Sequence, residues 1–144
     1  MSITTTASLL GSALVDRMID IALERRHFQR HLRQEISRSE RFGRVFVLLV
    51  LEANPSAAGL RLADAMKAGL SELRRTLRTY DVESWVFEDT LAALMLGTES
   101  SGGHAAELRL RSRLANIGGQ WTLTSYAFPE QRAEIESLSL FSAA

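Results

Sequence analysis

Apolar residues recur at intervals of three and four between Leu9 and Arg41, at Leu10, Leu14, Met18, Ile21, Phe28, Leu32 and Ile36. That period marks one face of an α-helix. After Gly11 no Gly or Pro interrupts the chain before Gly43, so the spacing predicts one long amphipathic helix, or two helices with a weak joint. Only Arg25 breaks the stripe. In the first half the near-heptad spacing of Leu10, Leu14, Met18 and Ile21 permits a coiled-coil-like dimer face, the alternative being that the same stripe packs on the protein's own sheet. Gly43 then ends the helix and the pattern changes to a continuous aliphatic run, "RVFVLLVLEAN", as in a central strand covered on one or both faces.

Beyond the connection "NPSAAG", Leu62, Ala65, Met66, Leu70, Leu73 and Leu77 share one face of a second helix over 61–79, expected to end near Tyr80. "VESWVFEDTLAALML" reads as a strand, a short turn and a strand, and "GTESSGG" as a loop. "HAAELRLRSRLANIGG" reads as a third helix stopped by Gly118 and Gly119. "QWTLTSYAF" is a last strand broken at Pro129, and "EQRAEIESLSLF" a short helical or frayed tail. Helix, strand, helix, strand, strand, helix, strand makes an α+β sandwich of the βαββαβ type, preceded by a long helix.

Composition narrows the function classes. A chain of 144 residues holds one domain with a real core. At 46% hydrophobic and 24% charged, with formal net charge zero, it is not a disordered chain and has no overall field for nucleic acid or an anionic membrane. No cysteine is present, which excludes a disulfide framework and thiolate metal sites. The start "MSITTTASLLGSALVDRM" lacks the basic and apolar regions of a signal peptide. The run Val45 to Leu51 is far shorter than the ~20 residues of a membrane span. The expectation is a cytoplasmic protein without membrane insertion. Arginine makes up the basic residues except Lys67, a bias of composition from which no function is read.

The chemistry-bearing candidates are few. Arg78-Thr79-Tyr80-Asp81 ends the second helix, a guanidinium and a carboxylate three residues apart. The plain structural reading is a helix cap. Glu52 at the end of the first strand and Asp89 in the hairpin turn are isolated acids of a kind usually solvated. His27 and His31 have i, i+4 spacing, but zinc needs further ligands and none is indicated. The arginines at 25, 26, 30 and 33 alternate with acids as on a solvated helix face, and Trp85 and Trp121 suit packing.

"RRHFQRHLRQEISRSERFGRVFVLLVLE", then "LRTYD", five residues and a carboxylate-bearing hairpin, resembles the GGDEF domain of diguanylate cyclases from about Asp16 to Phe128. The resemblance implies a palm-like βαββαβ fold. It also implies two metals held by acids at the positions of Glu52 and Asp89, acting on GTP to make cyclic di-GMP, and an inhibitory product site at an Arg-x-x-Asp. Here that site would be Arg78 and Asp81, completed by an arginine of the third helix, Arg109 by spacing, with Arg111 and Arg113 as neighbours.

The chain departs from the family where substrate would bind. Phe87 and Glu88 stand where paired glycines admit the nucleotide, and Thr90 and Leu91 replace the acid and Phe that follow. "PSAAGLR" replaces the segment bearing the guanine-contacting Asn, Glu24 stands in place of an Asn, and the last family helix is cut short at Ala144. The resemblance therefore implies a degenerate domain over 25–144, following a helical dimerisation segment at 1–24. It would be catalytically inactive, with no cofactor, and would act as a cyclic di-GMP receptor or regulatory module. The alternative is a nucleotide-independent protein-interaction or dimerisation module, and an active cyclase using Glu52 and Asp89 is the weakest reading. A protein partner or homodimer is expected, without nucleic acid.

Overall fold

A computed structural model of the chain describes residues 3–54, 61–117 and 120–142, the side chains of 3–15 excepted. Its elements are α1 (Ile3–Phe42), β1 (Phe46–Asn54), α2 (Leu62–Thr76), β2 (Val82–Phe87), β3 (Thr90–Leu96), α3 (Ser100–Ala115), β4 (Gln120–Phe128), α4 (Arg132–Glu136) and α5 (Ser139–Ser142). The four strands form one sheet in the order β2-β3-β1-β4, every neighbouring pair antiparallel. The expected α+β sandwich of βαββαβ type, with its long N-terminal helix, is the observed architecture.

β1 is central and buried on both faces, which explains its unbroken apolar sequence. Its odd residues Val47, Leu49 and Leu51 join Met66 and Leu73 of α2 and Ala106, Leu110 and Leu114 of α3. Its even residues Phe46, Leu48 and Val50 join Phe28, Leu32 and Ile36 of α1, with Ile135 and Leu140 of the tail. Phe46 stacks on Phe128 across the β1–β4 pair, ring centroids 4.9 Å apart. The tail is therefore two short docked helices: Gln29 Nε2 donates to the Leu140 carbonyl at 2.8 Å, and Arg132 pairs with Glu40 at 2.6 Å.

α1 is one unbroken helix, stopped by Gly43 at φ 68°, whose N–H bonds to the Ser39 carbonyl. Of the stripe read as a dimer face, Leu10 and Leu14 lie outside the described side chains. Met18 is 68% exposed, whereas Ile21 is only 8% exposed and buried within its own chain. Two helix ends also differ from the sequence expectation. α2 ends at Thr76, before Tyr80, because Leu77 is already extended (ψ 157°). α3 begins at Ser100, inside the stretch expected to be a loop, because Gly103 lets the helix approach the sheet: a Cβ there would lie 2.8 Å from both Val47 Cγ atoms. The connection 55–60 and the stop at Gly118 and Gly119 lie outside the described residues. Among the described residues no helix is long and apolar enough to cross a membrane.

Candidate functional site

The β2–β3 hairpin turns at Glu88 and Asp89, between Phe87 and its partner Thr90. Pairing is irregular between Trp85 and Phe87, and among the described residues no non-glycine has positive φ. The turn is thus built from ordinary backbone conformations and has no need of glycine. Trp85 Nε1 donates to the Glu88 carbonyl at 3.2 Å, Thr90 Oγ1 to Asp89 Oδ1 at 2.9 Å, and Ala53 N–H to the Asp89 carbonyl at 2.9 Å. The last contact seats the turn against the end of β1.

Glu52 pairs with Thr90 across the ladder, so the two sequence-predicted acids come together at one end of the sheet. Glu52 and Asp89, both exposed, line a cleft of about 300 Å³ with Phe87, Thr90, Leu138 and Leu140. Phe87 is held in place by α1: Arg25 lies over its ring, 4.8 Å from the centroid, while its Nη1 donates to the Val86 carbonyl at 3.0 Å. Tyr126, near this end, has its phenol pushed above the ordinary tyrosine value by burial and then by the charge of Glu52.

Arg78 and Asp81 meet at the opposite end of the sheet, where β2 stops two residues short of the end of β3. Val82 is paired with Leu94, which leaves the N–H and C=O of Leu96 without a strand neighbour. Side chains take over: Asp81 Oδ1 accepts from Leu96 N–H at 3.1 Å, and Arg78 Nη2 donates to the Leu96 carbonyl at 2.9 Å. Asp81 Oδ2 accepts from Arg78 N–H at 3.0 Å and from Arg78 Nε at 3.4 Å. The Asp81 side chain is 0% exposed and Arg78 45%. Arg78 Nη2 also donates to Thr98 Oγ1, and its guanidinium lies 4.7 Å from the Tyr80 ring centroid.

The three arginines of α3 part company. Arg109 is exposed. Arg111 bonds to Glu107 and to the Leu123 carbonyl of β4 at 2.8 Å. Arg113 donates to Thr76 Oγ1 at 3.0 Å, and is thus the one bonded to the end of α2 that leads into Arg78. Thr98, Tyr80 and the Leu96 backbone were not foreseen as neighbours of Arg78. Their only sequence signal is Gly97, which turns the chain at φ 63° directly after β3.

No protein-family model matches the sequence, and no curated protein matches it. Solved structures do. A DGC protein from Thermotoga maritima superposes with TM-score 0.71 at 19% identity, over 83% of this chain and 93% of that one. The GGDEF domain of DgcB from Caulobacter crescentus, in complex with c-di-GMP, gives TM-score 0.54 at 12% identity over 72% and 70% of the two chains. The chain has the fold of GGDEF domains. Diguanylate cyclase SiaD from Pseudomonas aeruginosa, in complex with its activator SiaC, shares it with TM-score 0.54 and 17% identity, over 86% of this chain and 58% of that one.

On this GGDEF fold the Glu52–Asp89 cleft lies beside the hairpin turn. Two carboxylates face it, and among the described residues no group of three His, Cys, Asp or Glu is placed to hold a metal ion. His27 and His31 gain no third ligand among the described residues either.

Proposed function

We propose that this protein is a regulatory GGDEF-fold module without nucleotidyl cyclase activity. The observation that carries the reading is Phe87 fixed beneath Arg25 at the mouth of the Glu52–Asp89 cleft, with Glu88 adding negative charge where a triphosphate would approach. Purified protein incubated with GTP and Mg²⁺ or Mn²⁺ is expected to release no more pyrophosphate or cyclic di-GMP than a Glu52→Ala, Asp89→Ala control. Turnover clearly above that control contradicts the reading.

The ligand we propose for the module is cyclic di-GMP, taken up through Arg78 with an arginine of α3. Arg109 is free of described bonds and Arg113 is nearer in contact to α2. Supporting this are the Arg-x-x-Asp, separated by five residues from Phe87 at the hairpin turn, the half-exposed Arg78 side chain and the aromatic face of Tyr80 beside it. Asp81 would have to exchange its bonds to Leu96 and Arg78 for guanine N1 and N2. Isothermal titration of wild type against Arg78→Ala is expected to show a loss of about tenfold or more, the worth of one charge-assisted hydrogen bond.

The full engagement of the Asp81 carboxylate favours the second reading, a nucleotide-independent protein-interaction module. Absence of heat with wild-type protein at high micromolar ligand decides for it.

A further inference from the structure

The outward side of α1 carries an ordered charge pattern that the chain itself does not use. Phe28, Leu32 and Ile36 pack on the sheet, while Asp16, Ile19, Asp20, Leu23, Arg26 and Arg30, spaced to fall on the far side of the helix, are all exposed. Ile19 and Leu23 are 53% and 49% exposed. Neighbouring charges of the same helix are taken up within the chain: Trp85 N–H donates to Glu24 Oε2 at 3.3 Å, Arg25 Nη1 to the Val86 carbonyl at 3.0 Å, and Arg33 Nη2 to the Phe141 carbonyl at 3.3 Å. Among the described residues, Asp16, Asp20, Arg26 and Arg30 make no hydrogen bond or ion pair.

The pattern is unfavourable for a helix left alone. Asp16 and Asp20 are like charges four residues apart, as are Arg26 and Arg30, a spacing that destabilises an isolated helix. The macrodipole does not account for it, because its effect falls off within a terminal turn and all four residues lie well inside α1 (Ile3–Phe42). The charges are ordered about Leu23. Asp16 and Arg30 stand seven residues before and after it, Asp20 and Arg26 three residues before and after, and Leu23 is the midpoint of α1. Seven is the interval at which two coiled helices stay in contact.

We infer that α1 pairs antiparallel with α1 of a second copy of this chain, about a twofold axis beside Leu23. The axis sets Asp16 against Arg30 of the partner subunit and Asp20 against Arg26 of the partner subunit, each pair made twice. Leu23 meets Leu23 of the partner subunit, and Ile19 covers the apolar centre beside it. A parallel pair would set acid on acid and base on base. The face thus selects its partner as well as its orientation: an unrelated acidic or basic protein would match one half of it and be repelled by the other. No charge lies between Ile3 and Val15, so the arginines beyond Arg30 meet no like charge across the axis. The overlap runs the length of a helix of about 60 Å, enough for the ~1,000 Å² of a specific interface. This surface is independent of the cyclic di-GMP reading, and it is not the stripe of Met18 and Ile21, since Ile21 is buried within its own chain.

Sedimentation of the full chain at tens of micromolar tests the assignment. Wild type is expected to dimerise at about 50 mM salt and to dissociate several-fold more readily at about 0.5 M, where exposed charges are screened. Asp16→Arg with Asp20→Arg makes the face wholly basic, and Arg26→Asp with Arg30→Asp makes it wholly acidic. Each double variant alone should self-associate at least about tenfold more weakly, because four attractions become repulsions. An equimolar mixture of the two should dimerise again, a recovery that misfolded variants would not show. The chain has no cysteine, so introduced thiols read the orientation: Asp16→Cys should form a disulfide with Arg30→Cys on mixing but not with itself, its copy lying ~21 Å away along the helix. A wild-type monomer at these concentrations in low salt overturns the proposal. So does a double variant that dimerises alone as wild type does, a mixture that stays monomeric, or a disulfide formed by Asp16→Cys with its own copy.

Discussion

Replacing Asp81 with alanine is expected to lower the free energy of unfolding by about 2–4 kcal/mol, through buried donors left without an acceptor. The carboxylate has no exposed surface and accepts from two backbone N–H groups, those of Arg78 and Leu96, and from Arg78 Nε. It stands in for the strand residue that β2 lacks opposite Leu96, so removing it opens the end of the β3 ladder and frees the turn after α2. Arg78→Ala is expected to cost less, since half of the guanidinium is already in water and water can replace it at the Leu96 carbonyl. Urea denaturation monitored by tryptophan fluorescence checks both, as a fall in midpoint at constant slope. An Asp81→Ala protein with the wild-type midpoint would mean that this carboxylate holds nothing in the fold and is kept for a ligand.

That position shows what a sequence carries and what it conceals. The spacing Arg-x-x-Asp is visible, and so is its position after a helix. Its partner, the Leu96 backbone, is fifteen residues further on and becomes a neighbour only because β3 outruns β2 by two residues. The strands and their order along the chain were legible for a simpler reason: β1 is buried on both faces, and its unbroken apolar run marked it as a central strand, though not whether one face or both were covered. Leu77 misled for the same reason in reverse. It continues the apolar stripe of α2 and packs against the core that α2 covers, yet its backbone is extended, so periodicity carried the helix past its end. Gly102 and Gly103 read as loop because glycine weakens a helix, whereas the close approach to Val47 at Gly103 makes glycine necessary there. Ile21 and Met18 look alike on the helical stripe, and only the placement of β2 buries one and leaves the other in water.

Phe28→Ala is expected to be among the most damaging single changes, at about 3–5 kcal/mol, the range for a fully buried aromatic truncated in a core. Phe28 is 1% exposed and packs with Leu32 and Ile36 of α1 against Phe46, Leu48 and Val86 of the sheet. The cavity would open directly under the turn of α1 from which Glu24 and Arg25 reach the edge of β2, so loss of packing is compounded by a looser cover on that edge. Met18→Ala, on an exposed position ten residues earlier, is expected to stay within about 0.5 kcal/mol of wild type. Thermal unfolding followed at the helical circular dichroism band separates the two variants. If Phe28→Ala were as mild as Met18→Ala, the second half of α1 would not be part of the core, and Phe87 would lose the support that holds it beneath Arg25. The placement of Phe87 at the Glu52–Asp89 cleft, on which the proposed lack of cyclase activity rests, therefore depends on the packing of this one helix.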